Sequence, residues 1–240
     1  MGQHLLSWVM RVLRLHLTDV TPSSDLPWAR PAFPVFAFLV DHPDGPVLID
    51  TGVGIGHDVI DELYSPVHYD LDEALAEHGV AVSDITTVIS SHLHFDHCGQ
   101  NNRFPHARVL VQRAEVAAAR EPLYTVPEWA FPDGVELTEI DGDHRVTPGI
   151  EIIATPGHTV GHQSVLTDDG NGQRTIACCQ GSWNAKSFSA AELGDDGWDP
   201  KIGAASMRRL HALKPTSVLF SHDPREWNGS DPAAITGNRR

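Results

Sequence analysis

Alternating and continuous runs of apolar residues predict strands near the start of the chain. Residues 9–17 alternate in side-chain type with a period of two, which predicts a half-buried β-strand. Two apolar runs follow at residues 33–40 and 46–49, and the turn-forming residues 41–45 separate them. We therefore expect a β-hairpin in this region.

The middle of the chain predicts helices and strands in alternation. Asp70 can cap a helix that Gly79 ends, because aspartate accepts free amide hydrogens and glycine readily adopts left-handed dihedrals. The segment 122–132 carries three prolines and is expected to be irregular and to overhang a site. The remaining elements are predicted as strands at 85–89 and 107–112 and an Ala-rich helix at 113–120.

The second half returns to strands and adds one longer helix. Residues 201–213 predict this helix, and its expected buried face holds Ile202, Ala205, Leu210 and Leu213. Two strand-rich stretches with covering helices predict an α/β architecture of stacked sheets with helices outside, as one domain over residues 1–240. The predicted strands of this half are 135–140, 150–155, 164–167, 175–179 and 217–220.

The charge of the chain bears on its partners. Its 32 acidic and 17 basic residues give a formal net charge of -15, which repels phosphate backbones and anionic bilayers. Residues 5–17 contain Arg11 and Arg14, and no stretch reaches the roughly 20 apolar residues of a membrane span. We therefore expect no nucleic-acid partner, no signal peptide and no membrane segment.

The cysteine content bears on the compartment. The chain has three cysteines, and two of them, Cys178 and Cys179, are adjacent. This set cannot form a disulfide framework and suits a reducing compartment, so we predict a cytoplasmic protein. The oligomeric state is left open by the sequence.

The densest cluster of chemically active residues follows the predicted strand 85–89. His92 and His94 are two residues apart, so in an extended segment both can face one ion, and Asp96 and His97 lie one short turn further on. Histidine and carboxylate ligands without thiolates suit zinc, manganese or iron, and zinc is favoured in open catalytic sites. The cluster therefore predicts a metal site.

Two further histidines also follow predicted strands. His158 lies between glycines in residues 155–162, and His222 follows the last predicted strand. A single loop histidine is usually polar surface, but strand ends on one edge of a sandwich converge in space. We therefore expect both histidines to join the first cluster.

The spacing of these residues resembles the metallo-β-lactamase superfamily across nearly the whole chain. The pattern is His-X-His-X-Asp-His from position 92, then His158 and His222, with Asp50-Thr51-Gly52 before it. The resemblance implies an αββα four-layer sandwich with metals at one edge between the sheets. It also implies a supporting role for Asp50, one metal on His92, His94 and His158, and a second on Asp96, His97 and His222.

Within the superfamily, residues 92–99 and 155–164 are similar to the N-acyl homoserine lactonases, as is the lead-in 34–45. This resemblance implies a zinc-dependent hydrolase that opens a lactone or ester bond of a small molecule, most closely an N-acyl homoserine lactone. Asp96 is then a ligand and a catalytic proton acceptor. Trp28, Phe33, Trp129 and Phe131 are expected either to line an acyl-chain pocket or to be ordinary core.

The chain departs from the lactonase pattern after the predicted strand 175–179. Gln180 stands at the bridging aspartate, or Ser182 does in a shifted alignment, and Trp183 stands at a tyrosine. A neutral amide offers one good oxygen donor and no charge, so either one or two ions can be expected. Cys179 should face away from the site, because neighbours on a strand point to opposite sides. Trp183 is a catalytic candidate through its indole N–H.

Other functions remain compatible with the same residues. Thioester or β-lactam hydrolases of this fold would share every metal ligand. A phosphodiester or RNA-processing enzyme would need a basic groove, which the net charge of -15 disfavours. Because Gln180 replaces an acidic ligand, a metal-binding sensor without turnover is also an alternative.

Overall fold

The computed structural model describes residues 10–194 and 197–229, which form two β-sheets. The larger sheet has the strand order β4-β1-β2-β3-β5-β6-β7, and the smaller has the order β12-β11-β10-β9-β8. The strands of the larger sheet are β1 (Arg11–Val20), β2 (Phe33–Asp41), β3 (Val47–Ile49), β4 (Val67–His68), β5 (Thr87–Ile89), β6 (Arg108–Gln112) and β7 (Leu137–Ile140). Those of the smaller sheet are β8 (His144–Thr147), β9 (Ile150–Ala154), β10 (Gln163–Asp168), β11 (Arg174–Cys179) and β12 (Ser217–Phe220).

Most helices of the described chain are short. The α-helices are α1 (Asp58–Tyr64), α2 (Leu71–Ala76), α3 (Phe95–Cys98), α4 (Arg113–Ala118), α5 (Pro127–Ala130), α6 (Ala185–Ser189) and α7 (Pro200–Ala212). Single 3₁₀ turns occur at Val82–Asp84 and Asn101–Arg103. Across both described stretches, no helix is long and apolar enough to cross a bilayer.

Apolar contacts define four layers. Between the sheets, side chains such as Phe38 and Ile49 of the larger sheet pack with Ile152 and Val165 of the smaller one. Helix α2 covers the outer face of the larger sheet, and α6 and α7 cover the outer face of the smaller sheet. The predicted αββα sandwich is confirmed. The single domain over residues 1–240 stays a prediction, because residues 1–9, 195–196 and 230–240 lie outside the described part.

Strand β1 is partly buried, in agreement with the predicted half-buried strand. Leu15 and Leu17 pack in the outer cluster of the larger sheet, while the partly buried Val12 packs against the cluster between the sheets. Arg14 and His16 remain partly exposed.

The buried face of α7 agrees with the prediction at Leu210 and Leu213, which pack against the smaller sheet, and differs from it in the first turns of the helix. Ile202 is 37% exposed, whereas Gly203 and Met207 are buried. A Cβ on Gly157 would lie 2.3 Å from the Cα of Gly203, so the helix packs closely on the loop that carries His158. The absence of side chains on Gly157 and Gly203 allows this close approach. A pattern of apolar residues does not identify glycines as part of a packing face. Helix α7 begins after Asp199, whose side chain accepts hydrogen bonds from the backbone amides of Lys201 and Ile202.

The sheets bring their strand ends to one edge. His92 follows β5, His158 lies between β9 and β10, Gln180 follows β11, and His222 follows β12. The sequence did not predict α1, β4, α3, α5, β8 or α6, each too short for a clear periodic pattern. One of them, α3, carries Asp96 and His97 into the site.

Candidate metal centre

Three histidines form the first candidate ligand group, called here the three-histidine group: His92, His94 and His158. Nδ1 of His94 lies 3.1 Å from Nε2 of His92 and 3.2 Å from Nε2 of His158. Tetrahedral zinc with bonds of about 2.0–2.1 Å sets its ligand nitrogens about 3.3 Å apart. The nitrogen spacing therefore fits one zinc ion.

The imidazoles of His92 and His94 are neutral at neutral pH. Burial, followed by the neighbouring His158, lowers the pKa of His94 to about 3. Burial and the surrounding histidines likewise hold the pKa of His92 well below its ordinary value. Neutral rings offer lone pairs, which is the form that binds metal.

The second candidate group, called here the aspartate group, consists of Asp96, His97 and His222. Oδ2 of Asp96 lies 3.7 Å from Nε2 of His97 and 3.6 Å from Nε2 of His222. Nδ1 of His222 lies 3.0 Å from the carbonyl oxygen of Pro34, which orients the ring. Within the described residues, Nε2 of His222 is buried without a hydrogen-bond partner, as expected of a metal ligand.

Buried carboxylates set the charges of the aspartate group. Burial opposes ionisation of Asp96, but His97 and His222 lower its pKa below the ordinary value, so it is ionised. Burial also opposes the charge on His97, yet Asp96 and Asp50 together raise its pKa to about 9. Burial, which outweighs the attraction of Asp96, lowers the pKa of His222 to about 3.

Asp50 supports the centre from behind. Its carboxylate accepts hydrogen bonds from the amide and hydroxyl of Ser91, at 2.6 and 2.8 Å, and lies 2.8 Å from Nδ1 of His97. These contacts turn Nε2 of His97 toward the site. Asp50 adopts a positive φ of 62°, a conformation that aspartate tolerates better than most residues. The contacts agree with the predicted supporting role.

Gln180 faces the aspartate group. Its Oε1 lies 3.0 Å from Nε2 of His97. Ser182, the alternative aligned residue, donates its hydroxyl to the carbonyl oxygen of Glu192 at 2.8 Å. Cys179 packs in the cluster between the sheets, and neither ligand group of the described chain contains a thiol.

An open cleft of about 620 Å³ adjoins His222. Trp183 stacks on the His222 ring at 4.6 Å and 27°, and Phe33 meets the indole edge-on at 5.2 Å. The guanidinium of Arg30 lies 4.2 Å above the same indole. Trp28 also lines the cleft.

Two other aromatic residues predicted for an acyl pocket lie elsewhere. Trp129 packs with Val53 and Ile60, and Phe131 packs with Ala130 and Val116. Neither lines the cleft beside His222. Their role as ordinary core, which the sequence left open, is the one that the structure supports.

The sequence missed Glu115, a buried carboxylate in the first turn of α4. It accepts hydrogen bonds from both loops that carry the three-histidine group. The available signal was an acidic residue beside the buried Val116 in an otherwise Ala-rich helix. His162, from the same sequence cluster as His158, belongs to neither ligand group, and its Nδ1 lies 2.9 Å from the Thr155 hydroxyl.

The described residues form two buried ligand groups of histidine and aspartate at one edge of an αββα sandwich, between its two sheets. This fold and this site together define a class of metal-binding proteins. The profile of the Metallo-beta-lactamase superfamily matches residues 30–172. The chain belongs to this superfamily.

Relatives of known activity cover most of the chain. An N-acyl homoserine lactonase of Bacillus sp is 31% identical over 212 residues, covering 82% of this chain and 84% of its own. The crystal structure of a quorum-quenching N-acyl homoserine lactone hydrolase has a TM-score of 0.75 and 27% identity, covering 91% of this chain and 95% of its own. Another such hydrolase, with N-hexanoyl-L-homoserine bound at its catalytic metal centre, has a TM-score of 0.72 and 27% identity, with coverages of 90% and 93%. The predicted resemblance to the lactonases is confirmed.

Proposed function

We propose that this protein is a zinc-dependent hydrolase that opens the lactone ring of N-acyl homoserine lactones. The observation that carries the proposal is the convergence of the three-histidine group and the aspartate group at one edge of the sandwich. Relatives with this activity, at about 30% identity over most of the chain, support the choice of substrate.

The donor atoms support zinc as the metal. They are imidazole nitrogens and one carboxylate, and the nitrogens of the three-histidine group have the spacing of a tetrahedral zinc site. Nε2 of His222 has no hydrogen-bond partner among the described residues, which supports a second ion in the aspartate group. When bound, zinc supplies acidification of water toward neutral pH and polarisation of the ester carbonyl.

We assign two residues to the reaction itself. Asp96 is ionised and lies within 4 Å of both His97 and His222, so it can serve as a ligand and accept a proton. Trp183 borders the cleft directly beside His222, which would place it against bound substrate. Its indole N–H can donate a hydrogen bond where the lactonases have a tyrosine hydroxyl.

The cleft beside His222 suits an apolar acyl chain. Trp28, Phe33 and Trp183 supply aromatic walls, and the volume of about 620 Å³ lies in the range of small-molecule sites. Asn184 and Ser187 add neutral polar groups that can bind an amide. An acyl amide with an apolar tail therefore matches the lining.

Gln180 bears on how many ions are held. An aspartate there would add a negative charge between the two groups, whereas the carboxamide adds none. We propose that the aspartate group binds zinc more weakly than the three-histidine group. The number of ions per chain is then one or two, depending on the zinc concentration.

The test combines metal content with hydrolysis. Elemental analysis of the purified protein should find zinc, and N-acyl homoserine lactones should be hydrolysed in a way that chelators abolish and zinc restores. Parallel assays with a thioester and a β-lactam distinguish other hydrolases of this fold. Faster turnover of either compound than of lactones would overturn the substrate assignment.

A metal-binding sensor is the second candidate, and Gln180 is the observation that favours it. Such a protein would bind zinc and lactone but release the lactone unchanged. Bound zinc with no hydrolysis of any ester would support this candidate over the enzyme. The cytoplasmic location stays a prediction, based on three cysteines that the structure shows as free and buried thiols.

A further inference from the structure

Glu115 is a fully buried carboxylate that belongs to neither ligand group. Its Oε1 accepts hydrogen bonds from the amide of Leu93, at 2.9 Å, and from the hydroxyl of Tyr124. Its Oε2 accepts from the hydroxyl of Thr159 at 2.7 Å and from the amide of Gly161 at 3.1 Å. Four donors therefore converge on one side chain.

These donors come from the segments that surround the three-histidine group. Leu93 lies between His92 and His94, and Thr159 directly follows His158. The ring of Tyr124 lies 5.0 Å from the ring of His94, so the segment after α4 reaches the same site. One carboxylate thus joins both histidine loops and a third segment.

The arrangement requires an acceptor at both side-chain oxygens. Two of the donors are backbone amides, which cannot reverse their role, and the two hydroxyls have Glu115 as their acceptor. A glutamine of the same shape would direct its NH₂ group at two donors, which leaves buried groups unsatisfied.

Close packing fixes the second loop against the same helix. A Cβ on Gly161 would lie 2.3 Å from the backbone nitrogen of Glu115. The loop that carries His158 therefore rests directly on the start of α4, and Glu115 reaches from there to the loop of His92 and His94. The distance between the loops is set at this contact.

Asp50 has the corresponding place behind the other group. It contacts Ser91 and His97, as described above, and none of the donors that Glu115 holds. The two buried carboxylates therefore contact different parts of the centre. Ligand positions commonly depend on such supporting groups.

We propose that Glu115 is a positioning residue for the three-histidine group, holding the His92–His94 loop and the His158 loop at the separation that one metal ion requires. The inference rests on the proposed metal-dependent function. It does not depend on which ester or lactone is the substrate. Glu115 acts through the loops and contacts neither ligand group directly.

The test measures zinc affinity at the three-histidine group alone. A His222→Ala background removes one ligand of the aspartate group, so the remaining zinc, followed by competition with a chromophoric chelator, reports on the other group. In that background, Glu115→Gln should weaken zinc binding roughly 10–100-fold. The matched control is Glu121→Gln on the exposed turn after α4, which should leave the affinity unchanged.

A merely structural role predicts a different result. It would lower the melting temperature of Glu115→Gln but leave the zinc affinity of the folded variant at its parent value, and folding is checked by circular dichroism. Thr159→Val removes one donor and keeps the carboxylate, so it provides a milder variant if Glu115→Gln does not fold. It should weaken zinc binding several-fold, with no change for Thr138→Val on the partly exposed strand β7.

The outcomes separate this inference from the proposed function. Unchanged zinc affinity in a folded Glu115→Gln variant, or in Thr159→Val if the former is unfolded, would overturn the role of Glu115 alone. Zinc binding that depends on Glu115, without hydrolysis of lactones, would overturn the proposed activity and support this inference. A parent protein without zinc affinity would overturn both.

Discussion

The side-chain oxygen of Gln180 lies 3.0 Å from Nε2 of His97, where the lactonase pattern has an aspartate. His97 is held on its other side by Asp50, so its free nitrogen is directed at Gln180 and Asp96. The geometry of an acidic ligand position is thus retained without its charge. This relationship determines how tightly the aspartate group can hold a second ion.

Restoring the acid should strengthen the second metal site. Gln180→Asp is expected to raise the zinc content toward two ions per chain at limiting zinc, because a carboxylate can bridge two cations and compensates their charge. Elemental analysis after dialysis against graded zinc concentrations measures this. The control is Gln173→Asp, which adds the same charge at an exposed turn. Equal zinc content in all three proteins would contradict the expectation.

The same substitution should make the metal-free protein less stable. Asp96 and Asp50 are already buried near this position, so a third carboxylate would add repulsion and desolvation. We expect a lower melting temperature for chelator-treated Gln180→Asp than for the parent, and a larger rise on adding zinc. Differential scanning calorimetry with and without zinc would show a smaller rise if the carboxylate did not bind metal.

Removing His94, whose Nδ1 contacts both other members of the three-histidine group, should remove most of the stabilisation by zinc at that group. Zinc at about 100 times its dissociation constant stabilises a folded protein by about 2.7 kcal/mol. The parent should gain this increment, and His94→Ala should lose most of it along with lactone hydrolysis. The control is His78→Ala, an exposed histidine after α2. Thermal unfolding at graded zinc measures the increment, and an undiminished gain in His94→Ala would refute the assignment.

The metal-free protein should lose stability on the acid side of pH 6.5. Burial lowers the folded-state pKa of His94 and of His222 to about 3, from an ordinary value of 6.5. Below pH 6.5 the unfolded chain therefore binds protons that the folded chain does not, and the free energy of unfolding falls. Each such histidine contributes about 1.4 kcal/mol per pH unit.

His97 has the opposite effect on the alkaline side. Against the effect of burial, Asp96 and Asp50 raise its pKa to about 9, so its stabilisation is complete below pH 6.5 and is lost as the pH rises to 9. Urea unfolding of chelator-treated protein should thus show a maximum near pH 6.5. His222→Ala should reduce the slope of the free energy of unfolding below pH 6.5 by the contribution of one histidine. It should leave the decline above pH 6.5 unchanged. A profile without a maximum would contradict a protonated His97 and neutral His94 and His222 in the folded, metal-free protein.

Trp183 should affect the substrate more than the metal. Trp183→Tyr supplies the hydroxyl of the lactonase pattern, so we expect a higher kcat for lactones. Trp183→Phe removes the N–H and part of the wall that stacks on His222, so kcat/KM should fall most for long acyl chains. Kinetics over a series of chain lengths measure both effects. The control is Trp227→Phe, on the outer side of the smaller sheet, which should leave the series unchanged.

Much of the site could be predicted from the sequence because several of its ligands are close together along the chain. Four candidate ligands lie within residues 92–97, and His158 and His222 each follow a predicted strand. The structure brings all six into the two groups that the resemblance implied. Residue type and strand order indicated that these residues converge, because strands of one sheet end at a common edge, and the resemblance to the superfamily implied their division into two groups.

The residues that pack against one another were harder to predict from the sequence than the metal ligands. The predicted face of α7 held Ile202, Ala205, Leu210 and Leu213. Leu210 is buried, but Ile202 and Ala205 are exposed, and the buried face also includes Gly203, Ser206 and Met207. Periodic apolar patterns register side-chain hydrophobicity, whereas this helix is positioned by close backbone approach to Gly157. Glu115 was missed for a related reason, since its donors include Leu93, 22 residues earlier, and Gly161, 46 residues later.

The sequence by itself determined most of the strands, the ligand types and the superfamily, because these follow from short-range periodicity and motif spacing. Only the tertiary structure decided that Gln180 rather than Ser182 faces His97, that Gly203 of α7 packs against Gly157, and that Glu115 joins the histidine loops. The physical reason is that each of these depends on contacts between distant segments, such as the 83 residues that separate His97 from Gln180.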